Sequence, residues 1–107
     1  MNLFDIPKSL GTEEKVTVLV QNSSVRIERI ISSGQISGWY NQEQHEFVTL
    51  LAGRAVIEYN DGRMTELSAG DTLVIMPNEV HRVSYTSKDP PCVWLCVFYQ
   101  ETETQEK

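Results

Sequence analysis

The chain has 107 residues, enough for one domain and too few for two. Its 40% apolar and 22% charged content is that of a soluble globular chain able to bury its own core. A formal charge of −6 disfavours polyanions, so nucleic acid and acidic membrane surfaces are poor partners.

No stretch approaches the roughly 18 apolar residues of a membrane span. The opening Met1-Asn2-Leu3-Phe4-Asp5 lacks the charged and apolar regions of a secretory signal, so a cytoplasmic protein is expected. Residues 1–14, with Pro7 and Gly11, read as a lead-in segment. From there to residue 100 the apolar pattern has period two. Val16, Val18 and Val20 alternate with Thr17 and Leu19, and Asn22-Ser23-Ser24 makes a turn. Val25, Ile27 and Ile30 then form a second strand against Arg26 and Glu28, which Ser32-Ser33-Gly34 ends. Two β-rich runs, 46–52 and 54–60, pivot at Gly53. Asn60-Asp61-Gly62 is a hairpin turn, because Asp-Gly readily supplies positive φ. Residues 64–67 lead to the turn Ala69-Gly70-Asp71, and 72–76 form a short strand stopped by Pro77. Residues 81–86 alternate, Lys88-Asp89-Pro90-Pro91 is a rigid loop, and 92–99 is the last strand. Residues 101–107 read as a frayed polar tail. Many short strands without a helix predict an all-β sandwich or closed barrel.

Cys92 and Cys96 lie on that last strand, four steps and so roughly 13 Å apart. A disulfide needs Cα atoms within about 7 Å, so the two are expected to be free, buried thiols in a reducing compartment. Both faces of the strand are apolar, with Cys92, Trp94, Cys96 and Phe98 on one and Val93, Leu95, Val97 and Tyr99 on the other. One face lines the core. The other needs a cover, from the N-terminal segment or a second subunit, and a homodimer is expected.

The stretch from Gly34 to Tyr85 resembles the cupin superfamily, and in particular small single-domain bacterial cupins. The first cupin motif runs Gly, five residues, His-x-His, three or four residues, Glu, six residues, Gly. Here Gly34 is followed by Tyr40-Asn41-Gln42, Glu46 and Gly53, so tyrosine and glutamine hold the two histidine positions. The second motif runs Gly, five residues, Pro-x-Gly, two residues, His, three residues, Asn. The interval from Gly70 to His81 matches it, while Pro77 sits one place late, Glu79 falls near the glycine position and Tyr85 replaces the asparagine. The resemblance implies a single-domain cupin β-barrel, or jelly roll, with a polar pocket inside. Cupins with complete motifs hold one metal ion with three histidines and a glutamate. Position by position, Glu46 and His81 are implied as metal ligands and catalytic groups, with Gln42 offering an amide oxygen and Tyr40 a phenol.

His45 joins the ligands only if a turn or bulge redirects it inward, since its neighbour Glu46 takes the inward face. In that case His45, Glu46 and His81 approach a two-histidine, one-carboxylate set. Trp39 and Tyr40 are expected at the wall or lip of the cavity, and Arg82 should point away from it. Three functions follow. The first is a divalent metal site (iron, nickel, manganese or zinc) serving an oxygenase or isomerase type of enzyme on a small molecule. The second is a metal-free module that binds or senses a small molecule. The third is metal-free acid–base catalysis by Glu46 and His81.

Overall fold

Strands need alternation and a buried face, and the period-two segments find both. The computed structural model describes residues 1–100, and the expected polar tail at 101–107 lies outside them. Eight strands follow in order: β1 (Lys15–Gln21), β2 (Val25–Ser32), β3 (His45–Ala52), β4 (Arg54–Tyr59), β5 (Met64–Ser68), β6 (Thr72–Ile75), β7 (His81–Thr86) and β8 (Cys92–Tyr99). They form a five-stranded sheet, β1-β2-β8-β3-β6, facing a three-stranded sheet, β5-β4-β7. All the paired strands are antiparallel, which gives the expected jelly roll. Among the described residues no helix is long and apolar enough to cross a membrane.

Register decides which side chains meet. Across the larger sheet Ile75, Glu46, Phe98 and Arg26 stand side by side on one rung. The next rung carries Leu73, Val48, Cys96, Glu28 and Val18. Leu50, Trp94, Ile30 and Val16 form a third. Directly paired residues share a face, so these rungs make the inner wall. Ala55, Ile57, Tyr59 and Leu67 of the smaller sheet close over them as the core. Leu50 and Cys92 are fully buried within it.

The smaller sheet has two strands fewer, and β1 pairs with β2 alone. Val16 and Val18 are therefore 52% and 48% exposed although they face inward. The alternation expected for β1 fails at its end. A bulge between Val18 and Val20 places Val20 opposite Ile27, so it no longer shares a face with Val16 and Val18.

The outer face of β2 and β8 finds part of its cover in the N-terminal segment. Buried Arg29 donates from Nη1 to the carbonyl of Asp5 at 2.7 Å and more weakly to that of Leu3 at 3.4 Å. Ile31 and Val93 are buried on the same face.

Of the positions with left-handed φ, Gly53 and Asn78 bear most on the site. Gly53 (φ 87°) turns the chain from one sheet to the other, and a Cβ there would lie 2.8 Å from Pro91 O and 2.9 Å from Cys92 Cα and Sγ. The other is Asn78 (φ 61°), the non-glycine residue with positive φ among those described. The glycine place of the second motif is thus held by Asn78 rather than Glu79. Asparagine tolerates this conformation better than most side chains. Cys92 and Cys96 are free and buried, as the strand geometry required.

Candidate functional site

The open side of the barrel leads into a cavity of about 340 Å³ between the two sheets. Its walls are aliphatic and aromatic: Val48, Ile57, Ile75, Val83, Trp94 and Phe98. Into this apolar space the fold projects Tyr40, Gln42, Glu46, His81 and Cys96. Apolar walls with a few convergent polar groups are the usual composition of a small-molecule pocket.

Glu46 reaches the cavity because β3 alternates and its outward neighbours are His45 and Phe47. Its carboxylate is nearly buried, and Oε1 accepts a bond from Gln42 Nε2 at 3.1 Å. Burial pushes its pKa above the ordinary 4.5, against the opposing pull of the Gln42 amide and of His81.

His81 begins β7 opposite Tyr59 and is buried. It exchanges two backbone bonds with Tyr40, 2.7 and 3.1 Å long. Its Nδ1 lies 2.8 Å from the carbonyl oxygen of Glu79. A carbonyl only accepts, so Nδ1 carries the proton and a neutral ring leaves a lone pair on Nε2. That nitrogen faces Glu46 Oε1 at 3.9 Å, too far for a hydrogen bond. Two acceptors face one another across the gap, and a proton or a cation between them resolves the conflict.

The turn before His81 is tied to the loop carrying the other polar groups. Asn78 donates its backbone N–H to Gln42 O at 2.7 Å and its side-chain amide to Asn41 Oδ1 at 2.9 Å. Glu79 Oε1 accepts from the Met76 N–H at 3.1 Å and its backbone N–H donates to Met76 O. Gln42 and His81 are thereby held by one clamp. Tyr40 closes the rim, its ring 5.6 Å from that of His81. Its phenol is pushed above 10.0 by burial first, and then by the charges of Glu14 and Glu46. Cys96 is pushed well above its ordinary 9.0 by burial and by Glu46, which keeps it a thiol.

Two expected members are elsewhere. His45 stays on the outer face, stacked on Tyr99 with ring centroids 5.0 Å apart. No bulge turns it inward, because the register with β8 runs unbroken from His45 to Leu50. Trp39 does not line the cavity. Its half-exposed ring lies outside under the Arg82 guanidinium, at 4.7 Å, and Arg82 also pairs with Glu58 at 2.8 Å.

The sequence reading also left out the charged residues of β2. Its apolar Val25, Ile27 and Ile30 were expected together against Arg26 and Glu28, yet Arg26, Glu28 and Ile30 share the cavity face. The open side lets charged groups stay wetted there. Arg26 donates to Glu28 at 2.8 Å and lies 4.3 Å over the Phe98 ring. Glu14, just before β1, joins the lining and accepts a bond from Ser32 Oγ at 3.2 Å. Arg26 and Glu28 two apart on a strand, like Glu28 and Ile30, were the available signal that charge and core share a face.

Among the described residues no three or more His, Cys, Asp or Glu side chains gather closely enough to hold a metal by themselves. Glu46 and His81 offer one carboxylate and one imidazole lone pair. Gln42 can add its amide oxygen after a half-turn of its side chain, and Tyr40 its phenol. These donors fit a divalent ion that keeps much of its water shell.

A family model described as a cupin domain matches residues 27–98. A Ralstonia eutropha protein provisionally named a mannose-6-phosphate isomerase superposes with a TM-score of 0.87 at 35% identity, covering 94% of this chain and 97% of that one. A cupin superfamily protein of Desulfitobacterium hafniense gives 0.76 at 17% identity, over 89% and 84%. A conserved Streptococcus pyogenes protein of unknown function gives 0.73 at 20%, over 95% of each chain. The last two likenesses concern the fold alone. No functionally curated protein matches the sequence.

Proposed function

This chain belongs to the cupin domain family, and from that premise we propose that its cavity binds a divalent metal ion together with a small organic molecule. The observation that carries the reading is the facing pair of acceptors, His81 Nε2 and Glu46 Oε1, buried at 3.9 Å. The Glu79 carbonyl presets His81 in the tautomer that ligates a metal. Glu46, His81 and Gln42 would hold the ion, and a bound divalent ion would supply Lewis-acid polarisation of a substrate oxygen.

The rest follows from the chain's own groups. The apolar walls exclude water from one side of a bound molecule. Gln42 orients the Glu46 carboxylate by its hydrogen bond. Tyr40, kept protonated at the rim, donates a hydrogen bond to a ligand oxygen. The name of the Ralstonia protein points to sugar isomerisation, in which a proton moves between neighbouring carbons; a carboxylate with a raised pKa beside an imidazole suits such a transfer. A metal-free binding module is the second reading. It is favoured by the Gln42 bond, which already satisfies the Glu46 oxygen nearest His81.

Calorimetric titration of chelator-treated protein with iron(II), nickel, manganese and zinc tests the first reading. One ion taken up per chain, with binding lost in both Glu46→Gln and His81→Gln, supports it. No uptake of any ion refutes it in favour of the metal-free module. We also assign the outer face of the larger sheet to a homodimer contact, since Val20, Ile27, Val97, Phe47 and Val74 form one apolar rung there and Val20, Phe47 and Val74 are exposed. Light scattering that gives a monomer mass at every concentration would reject this.

A further inference from the structure

We propose that the ligand of this cavity carries a cationic amine, and no phosphate, at the end facing β1 and β2. The inference deepens the reading of the cavity as a small-molecule site and rests on it. Three carboxylates line the space, Glu14, Glu28 and Glu46, against one permanent cation, Arg26. Arg26 is already committed to Glu28 at 2.8 Å and is packed on Phe98. No lysine takes part in the lining. A phosphate entering from the open side would therefore meet Glu14 and Glu28, with a single guanidinium, its Nε already bonded to Glu28, to set against them. A dianion is repelled by each carboxylate, and the repulsion is strong where apolar walls lower the local dielectric.

A second feature of the cavity points to a ligand. The buried His81 ring turns Nε2 toward the cavity, with Glu46 Oε1 beyond hydrogen-bond reach. The inner end thus presents acceptors, which suit a hydroxyl, an amine or a metal-bound oxygen-bearing group. The outer end shows what it holds well: the Arg26 guanidinium lies against an aromatic face and a carboxylate, 4.3 Å from the ring centroid. Cations are attracted by aromatic faces, and the Tyr40 and Trp94 rings line the same space. The walls between the two ends suit an apolar body. An amine with an aliphatic or aromatic body matches all three regions, and a phosphosugar matches none of them well.

The test holds the ligand body constant and varies its charge. Benzylamine, benzyl alcohol and benzyl phosphate are titrated into 15N-labelled protein, with mannose 6-phosphate as a fourth probe. Shifts of the Trp94 indole N–H and the Gln42 side-chain amide report occupancy of the cavity. The expected order is amine, then alcohol, then phosphate, with about tenfold or more between the first and last at low salt. Glu28→Gln and Glu14→Gln should each narrow that gap by about threefold or more, as should raised salt on the unaltered protein. The proposal is overturned if either phosphate binds as tightly as benzylamine. It is also overturned if the amine leaves Trp94 and Gln42 unmoved, or if neither substitution nor salt changes the order. Each titration is run with and without chelator. The amine preference can therefore hold in protein that takes up no metal, which separates this inference from the metal reading.

Discussion

Replacing Gly53 by alanine tests the junction through which the chain passes from the larger sheet to the smaller one. The new Cβ would lie 2.8 Å from Pro91 O and 2.9 Å from Cys92 Cα and Sγ. Two of these are backbone or Cα atoms at the start of the buried strand β8, so they cannot swing aside as a flexible side chain would. The φ of 87° adds a conformational cost of about 1–2 kcal/mol for an L side chain. Overpacking a tight site adds about 1–3 kcal/mol. The expected loss is therefore about 2–5 kcal/mol, a large share of the roughly 5–15 kcal/mol that stabilises a typical domain. Gly62→Ala is the control. Its φ is 97°, but nothing lies within 4 Å of a Cβ there, so it should lose only the conformational part, about 1–2 kcal/mol. Urea unfolding followed by Trp fluorescence measures both. In thermal melts Gly53→Ala should fall further, at roughly 4–8 °C per kcal/mol for a chain near this size. Equal losses in the two variants, within about 0.5 kcal/mol, would show that Pro91 and Cys92 yield freely and would refute the steric argument.

The buried Glu46 carboxyl should leave a pH signature. Its folded pKa lies above the unfolded value of about 4.5, so the folded state holds the proton more tightly. Its contribution to stability is whole below that unfolded value and is lost as pH rises through the folded one. Glu46→Gln should therefore gain stability relative to the parent as pH rises from 4.5, and denaturation at a series of pH values would show it. A gain that shrinks with rising pH would contradict the sign. Cys92 and Cys96 should resist a thiol reagent such as dithionitrobenzoate in the folded protein and react fully in denaturant, because both are buried and Cys96 is held protonated. Rapid labelling without denaturant would argue against the packing around β8. Trp39→Ala should leave metal and ligand affinity within about twofold of the parent, since the ring lies outside the cavity. A tenfold loss in the same titrations would return Trp39 to the site.

Much of this protein is written in local pattern. Alternation over one strand needs no distant partner, so the strand runs 46–52, 72–76, 81–86 and 92–99 agree with β3, β6, β7 and β8 to within a residue or so. Turns built on Asn22, Asp61-Gly62 and Gly70 are legible for the same reason. Asn22 Oδ1 accepts from Ser24 and Val25, and Gly62 and Gly70 take positive φ. The separation of Cys92 from Cys96 follows from strand rise alone. The family intervals placed Glu46 and His81, and the fold brings them to 3.9 Å.

What stayed hidden depends on which surface a strand meets. On β2 either face could have been the inner one. The choice fell to Arg26, Glu28 and Ile30 because β2 lies near the edge of a sheet that is wider than the one opposite, and its inner side remains wet. A short-range pattern cannot register that difference in width, nor the bulge that turns Val20 from the face of Val16 and Val18. The positions of His45 and Trp39 were decided in the same way, by stacking on Tyr99 and beneath Arg82, partners brought near only by folding. The sequence by itself determined an all-β barrel or sandwich, because alternation and turn chemistry act along the chain, and its resemblance to cupins added the jelly roll with Glu46 and His81 inside it. The tertiary structure alone decided the charge of the cavity, because that charge depends on which strands lie opposite one another and which are left facing water.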